Sequence, residues 1–126
     1  MSDKKFATVI NCMDGRTQEP AIFWIKKEFG VYYVDSITEA GPDKILAEGP
    51  SDTSDSIKKR VKISVDKHGS ENIIVVSHHD CAGNPVSKEQ HMIHLKNAIK
   101  HVSNWKLDAK VTGIWIDENW DVNKII

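Results

Sequence analysis

Residues 6–16 read FATVINCMDGR, an apolar run followed by a loop. The same order of apolar run, loop and helix recurs later in the chain. An apolar run without polar alternation is typical of a strand that is buried on both faces, as in a parallel sheet. Cys12 follows this strand directly, and Pro20 then opens an amphipathic helix at a position where its missing N–H costs nothing. The segment therefore predicts one strand–loop–helix unit of an open α/β sheet, with a cysteine at the carboxyl end of its strand.

A second unit of the same kind lies in the middle of the chain, where residues 72–81 read NIIVVSHHDC. Further strands are predicted over 31–37 and 111–116, and helical apolar stripes separate them. We therefore predict an α/β fold, a single domain over residues 1–126 with a mostly parallel sheet of about four strands flanked by helices. A chain of 126 residues is long enough for one hydrophobic core.

Composition excludes several classes of protein. The 17 basic and 18 acidic residues give a net charge of -1, without the basic stripe that a nucleic-acid binder needs. No apolar run approaches the ~18 residues of a membrane span. The segment Met1–Lys5 is polar, unlike the apolar region of a signal peptide, so we expect a cytoplasmic protein. In that reducing compartment, two cysteines favour a metal or catalytic role over a disulfide.

Three side chains of metal-ligand type follow the two central strands. Because the carboxyl ends of parallel strands meet at one edge of the sheet, we expect Cys12, His78 and Cys81 to lie together there. Thiolate and imidazole suit zinc, and three protein ligands leave one position open for chemistry. We predict one Zn²⁺ per chain. The simpler alternatives are two buried structural thiols with a core histidine, or a structural zinc that Asp14 closes as fourth ligand.

Asp14 and Arg16 follow Cys12 at a spacing that permits an ion pair. Guanidinium and carboxylate fit bidentately, which would orient Asp14 and keep it ionised. A carboxylate held beside the metal can accept a hydrogen bond from zinc-bound water or hydroxide. Released from Arg16, the same carboxylate could instead bind zinc and block the site.

The two motifs Cys12-x-Asp14-x-Arg16 and His78-x-x-Cys81 resemble those of the β-class carbonic anhydrases, in the same order and setting. The resemblance runs through nearly the whole chain, to the last predicted strand. It implies that Cys12, His78 and Cys81 bind zinc, and that Asp14 with Arg16 forms the catalytic dyad. The implied reaction is the reversible hydration of carbon dioxide to bicarbonate by a zinc-bound hydroxide. It also implies a homodimer or a higher homo-oligomer.

One segment departs from that family. Its members commonly carry Arg-Asn-Ala-Gly where this chain has Thr38-Glu39-Ala40-Gly41. Loss of the cation at Thr38 and gain of an acid at Glu39 disfavour an anionic product such as bicarbonate. Two alternatives therefore stay open: a hydrolase of a related small molecule, carbonyl sulfide or carbon disulfide, and a catalytically silent zinc-binding domain with the site closed by Asp14.

The remaining histidines have weaker assignments. His79 or His68 could carry the released proton to solvent, because imidazole titrates near neutral pH; unchanged turnover of His79→Ala across buffer concentrations would exclude His79. On the fourth helix, His91, His94 and His101 are predicted to form a partly exposed polar face beside the apolar stripe.

Overall fold

The backbone pairs into one sheet of five strands. The computed structural model describes residues 5–126, so all but the last residue of the polar segment Met1–Lys5 lies outside the described part. The strands run in the spatial order β2-β1-β3-β4-β5, the first four parallel and β5 antiparallel to β4. Their bounds are Phe6–Cys12 for β1, Tyr33–Glu39 for β2, Asn72–His78 for β3, Lys110–Ile116 for β4 and Val122–Lys124 for β5.

Four helices connect these strands, and a single 3₁₀ turn precedes the first of them. Two helices begin at a serine N-cap, where Ser51 and Ser87 each accept a hydrogen bond from the backbone N–H three residues ahead. The longest helix ends at Gly69, which has a left-handed φ of 70°. The bounds are Gln18–Phe29 for α1, Pro42–Ala47 for α2, Asp52–His68 for α3 and Lys88–Ser103 for α4.

The two faces of the sheet carry separate cores. Along β3, alternate residues point to opposite faces, so Val75 joins the core beneath α2, α3 and α4, while Val76 joins the core beneath α1. Burial of both faces explains why β1 and β3 read as continuous apolar runs. The predicted α/β fold with a mostly parallel sheet is confirmed. Within residues 5–126, no helix combines the length and apolar character that a membrane crossing requires.

Three details differ from the prediction. The sheet has five strands rather than about four, because Val122–Lys124 is too short to show a pattern and forms only by pairing with β4. Strand β2 spans Tyr33–Glu39 rather than 31–37, since its register is set by pairing with β1 from Phe6 onward. The stretch after Gly41, for which no element was predicted, contains the short helix α2, which Pro42 opens.

The strand order creates a crevice between β1 and β3. From β1 the chain passes through α1 on one face to β2, and then returns through α3 on the other face to β3. Such a reversal is where open α/β sheets bind ligands, outside the carboxyl ends of the strands. Cys12 ends β1 and His78 ends β3, so the fold places both at this crevice.

Candidate metal centre

The structure brings together the three side chains that the sequence predicts as metal ligands. The ligand atoms of Cys12, His78 and Cys81 all lie within 4.8 Å of one another. All three residues are buried, and the two Sγ atoms are 3.9 Å apart. Two Zn–S bonds of about 2.3 Å at a tetrahedral angle place sulfurs about 3.8 Å apart. The arrangement therefore fits a single tetrahedral ion, and zinc is the metal that this donor set favours.

The imidazole of His78 is oriented for a metal. Its Nδ1 donates a hydrogen bond to the backbone oxygen of His79 over 2.7 Å, so the unprotonated lone pair of the neutral ring lies on Nε2. That Nε2 is buried and has no hydrogen-bond partner among the described residues. A buried polar atom without a partner costs free energy. A metal ion at this position would satisfy it.

The pKa values of the two cysteines are shifted in opposite directions. The hydrogen bond with Cys81 lowers the pKa of Cys12 to about 4 against the opposing effect of burial, and contacts with His78 and with backbone N–H groups lower it further. The same interaction raises the pKa of Cys81 above its ordinary value. Without a cation, the pair holds one thiolate and one thiol. A second thiolate requires a positive charge between them, which a divalent ion supplies.

Asp14 is held by Arg16 in a bidentate pair. The Arg16 Nε donates to Asp14 Oδ1 over 3.1 Å, and Nη2 donates to Oδ2 over 2.7 Å. The backbone N–H of Arg16 also donates to Oδ1 over 2.9 Å. The hydrogen bond from the guanidinium is the main reason that the pKa of Asp14 falls to about 2. The carboxylate is therefore ionised and oriented throughout the neutral range, as the spacing predicts.

Arg16 is itself fixed by two residues from other parts of the chain. Its Nη1 contacts Asp80 Oδ2 at 3.3 Å, and its Nη2 donates to the backbone oxygen of Asp80 over 3.2 Å. The ring of Trp120 lies 4.5 Å from the Arg16 Cζ in a cation–π contact. Trp120 has a φ of 62°, which is strained for a bulky residue. Strain of this kind is found where a side chain is held for function.

The loop that carries Cys81 packs against the end of β2 without a gap. A Cβ on Gly83 would lie 2.4 Å from the carbonyl carbon of Ala40 and 2.6 Å from the backbone nitrogen of Gly41. These are backbone atoms, which cannot rotate away as a side chain would. Gly83 is therefore required for the close approach of two segments that surround the ligands.

We expect Gly83→Ala to destabilise the protein by about 2–3 kcal/mol, and to lower Tm by about 10 °C, because the two backbones must separate. Thermal unfolding followed by circular dichroism measures the change. Gly15→Ala is the matched control, since a Cβ there meets nothing within 4 Å and Gly15 has no positive φ. Equal Tm values for the two variants would contradict this account of Gly83.

Other sequence predictions fare differently. His68, a candidate for carrying the released proton, is the last residue of α3, and its ring stacks on Phe6 at the start of β1. Phe6 lies six positions before Cys12 along the strand, about 20 Å away, so His68 is not placed to move a proton from the metal centre. The carboxylate of Glu39, which replaces a neutral residue of the family pattern, forms an ion pair with Arg60 of α3. Its charge is thus offset.

The predicted polar face of α4 is wrong at His91. This residue is buried, with 1% of its surface exposed, and its Nδ1 donates to the buried carboxylate of Asp43 over 2.7 Å. The reason is that α2, which the sequence pattern did not reveal, packs against α4 and covers that face. His94 and His101 are partly buried.

Sequence reasoning missed several residues around the centre. Gln18 Nε2 donates to the backbone oxygens of Cys12 and Asp14, over 2.8 and 2.9 Å, and so fixes the turn between them. Asp80 could have been noted from its place inside the second motif. The contact of Trp120 with Arg16 could not be predicted from the sequence. Trp120 lies beyond the last predicted strand and reaches Arg16 only because the chain turns back into the antiparallel strand β5.

Comparison with known proteins agrees with this geometry. A family model described as "putative carbonic anhydrase" matches residues 2–126. Among solved structures, a tetrameric β-carbonic anhydrase from Sordaria macrospora aligns with a TM-score of 0.59 at 14% identity, covering 99% of this chain and 82% of that one. The β-carbonic anhydrase CafA of Aspergillus fumigatus aligns with a TM-score of 0.53 at 13% identity, covering 97% and 76%. No curated protein sequence matches the chain.

Proposed function

Because the chain belongs to the family described as "putative carbonic anhydrase", we propose that it is a zinc lyase that reversibly hydrates carbon dioxide to bicarbonate. In this proposal Cys12, His78 and Cys81 bind one Zn²⁺ per chain, and Asp14 with Arg16 forms the catalytic dyad. The observation that carries the proposal is the buried cluster of two sulfurs and one imidazole nitrogen that has no hydrogen-bond partner within residues 5–126, next to a carboxylate fixed by a guanidinium.

Bound zinc would supply a nucleophile at neutral pH by lowering the pKa of a coordinated water to about 7. The chain's own residues would do the rest. Asp14 is ionised and accepts hydrogen bonds only, so it can orient a donor presented at the open side of the cluster. Arg16 keeps this carboxylate in one position, which reduces the reorganisation that the reaction would otherwise require.

The geometry favours an open site over one closed by Asp14. Both carboxylate oxygens are engaged by Arg16, and Arg16 is held from two further sides by Asp80 and Trp120. Binding of a metal by Asp14 would compete with these hydrogen bonds. The dyad geometry therefore supports an enzyme. A hydrolase of carbonyl sulfide or carbon disulfide would use the same residues, so only an assay with those substrates separates the two reactions.

We also infer that the protein is a cytoplasmic homo-oligomer. The related Sordaria macrospora enzyme is tetrameric. In this chain β2 is an edge strand, and two aromatic residues at its start are exposed, Tyr32 by 60% and Tyr33 by 43%. Exposed aromatics at an unpaired edge suit pairing with a second copy. Sedimentation that shows only monomer at micromolar concentration would rule out the homo-oligomer.

The test of the proposed activity is stopped-flow carbon dioxide hydration by purified protein whose zinc content has been measured. We expect about one zinc per chain and turnover well above the uncatalysed rate at neutral pH. Parallel assays with carbonyl sulfide and carbon disulfide identify the alternative reaction. Stoichiometric zinc without turnover of any of the three substrates would support the silent domain instead. Chain purified without zinc, and unable to bind it, would overturn the proposed metal centre.

A further inference from the structure

A second buried group contacts residues close in sequence to the proposed metal ligands and has no part in the proposed chemistry. Asp43, in the first turn of α2, has 1% of its surface exposed. Burial alone raises the pKa of a carboxyl, but hydrogen bonds from His91, Ser77 and Asn84 outweigh that effect and hold the pKa of Asp43 below its ordinary value. The residue is thus a buried anion, which a protein retains only when its partners satisfy it.

The partners of Asp43 all donate hydrogen bonds to it. Oδ1 accepts from the backbone nitrogen of Lys44 over 2.9 Å and from Asn84 Nδ2 over 3.1 Å. Oδ2 accepts from Ser77 Oγ over 2.8 Å and from His91 Nδ1 over 2.7 Å. One carboxylate thereby joins α2, the end of β3, the following loop and α4.

Two of these partners flank the segment that carries two of the proposed metal ligands. Ser77 immediately precedes His78, and Asn84 follows Cys81 by three residues. The segment between them has no regular secondary structure, apart from the last strand residue, and Asp80 within it has a φ of 58°. Backbone hydrogen bonds hold only parts of this segment, from the N–H of His79 to the oxygen of Ile116 over 2.9 Å and from the N–H of Asn84 to the oxygen of Cys81 over 3.3 Å. The bonds to Asp43 hold both ends of this segment.

We propose that Asp43 is a positioning residue for the metal centre, fixing the separation of His78 and Cys81 through Ser77 and Asn84. The proposal rests on the assignment of these two residues as zinc ligands in the proposed function. Hydrogen-bonding groups behind metal ligands typically contribute 10–100-fold to metal affinity. Asp43 does not bond to a ligand side chain; it bonds to Ser77 and Asn84, at the two ends of the segment that carries the ligands.

The variant Asp43→Asn tests the proposal with little change in shape. At the Oδ1 position both partners, Lys44 N–H and Asn84 Nδ2, can only donate, so an amide nitrogen there faces two donors. At the Oδ2 position the Ser77 hydroxyl and His91 Nδ1 would both have to change from donor to acceptor, which for His91 requires the other tautomer. We expect the affinity of the apoprotein for Zn²⁺, measured against a chromophoric chelator, to fall about 10–100-fold. The absorption bands of the Co²⁺-loaded protein, which report ligand geometry, should shift or broaden.

Asp35→Asn is the matched control. Asp35 is likewise a carboxylate that links a strand to a helix, accepting from Ser64 and His68 over 2.6 Å each, and it contacts neither of the two central ligand motifs. It should lose stability without loss of Zn²⁺ affinity or change in the Co²⁺ spectrum. Measuring affinity below the unfolding transition of each apoprotein separates ligand placement from folding.

The outcomes are distinct. Weaker metal binding with altered Co²⁺ bands in Asp43→Asn alone supports the proposal. Affinity and spectrum equal to those of the parent, or equal losses in both variants, overturn it while leaving the zinc assignment intact. A parent chain that binds neither metal overturns both. If Asp43→Asn does not fold, Ser77→Ala decides: a several-fold loss of affinity supports the proposal, and unchanged affinity contradicts it.

Discussion

Cys81→Ser is expected to abolish zinc binding and carbon dioxide hydration together. A serine hydroxyl stays protonated at neutral pH and is a poor zinc ligand, so only Cys12 and His78 would hold the ion. The structure offers no replacement, because these three residues form the only metal-type cluster within residues 5–126. We expect zinc affinity to fall by more than about 100-fold, beyond the usual effect of a supporting residue. Elemental analysis after dialysis and stopped-flow hydration measure the two losses.

The reciprocal variant Cys12→Ser should behave in the same way, because both sulfurs, 3.9 Å apart, are proposed as ligands of the same ion. Both variants should keep the far-ultraviolet circular dichroism of the parent, because the sheet is held by the apolar cores on its two faces. Full zinc content and undiminished turnover in Cys81→Ser would remove Cys81 from the ligand set and with it the proposed centre.

Asp14→Asn is expected to reduce hydration by about 10²–10³-fold while leaving zinc content unchanged. The amide has the shape of the carboxylate, but it loses the charge that pairs with Arg16 and half of its accepting capacity. Losses of this size are typical when a positioned proton acceptor is removed. The measurement is kcat/KM for carbon dioxide beside the zinc content of the same sample.

The pH dependence of this deficit follows from the depressed pKa of Asp14. Because Arg16 lowers that pKa to about 2 in the folded state, from an ordinary value of 3.8, the stabilisation from the pair is present at neutral pH and is lost only as pH falls toward 2. Across pH 6–9 the carboxylate charge is constant. Titration of Asp14 itself should therefore contribute no pH dependence to the ratio of parent to Asp14→Asn activity in that range.

Asp80→Asn is the matched control, because it makes the same chemical change on the other carboxylate that contacts Arg16. The side chain of Asp80 is 70% exposed and its contact with Nη1 is long, 3.3 Å. Exposed ion pairs contribute little, so we expect less than about a threefold change. A large loss for Asp80→Asn with little loss for Asp14→Asn would reverse the roles assigned to these residues.

Local patterns accounted for the parallel part of the fold. Strands β1 and β3 were recognisable because both of their faces are buried, which produces apolar runs. Helix α3 was recognisable from its apolar spacing and from Gly69 at its end. The residues proposed as metal ligands could be named because each lies at the carboxyl end of such a strand or within three residues of it, and parallel strands share one carboxyl edge. That the three atoms lie within 4.8 Å agrees with this reasoning.

Contacts between distant segments could not be read in this way. Strand β5 forms by pairing with β4, and only the turn between them carries Trp120 to Arg16. Helix α2 has six residues, too few for a periodic signal, yet its packing buries His91 and places Asp43 under the ligand segment. A charged residue in a short polar stretch reads as exposed from sequence alone.

Sequence by itself thus determined the α/β class, the helices with strong periodicity and the set of candidate ligands, because these depend on the order of residue types along a few turns or strands. Tertiary structure alone decided how the ligand segment is supported, which partners hold Arg16 and which histidine is buried. Those features depend on side chains that meet across 34 to 104 positions of chain, as Asp43 meets Ser77 and Arg16 meets Trp120. Local propensity carries no information about such meetings.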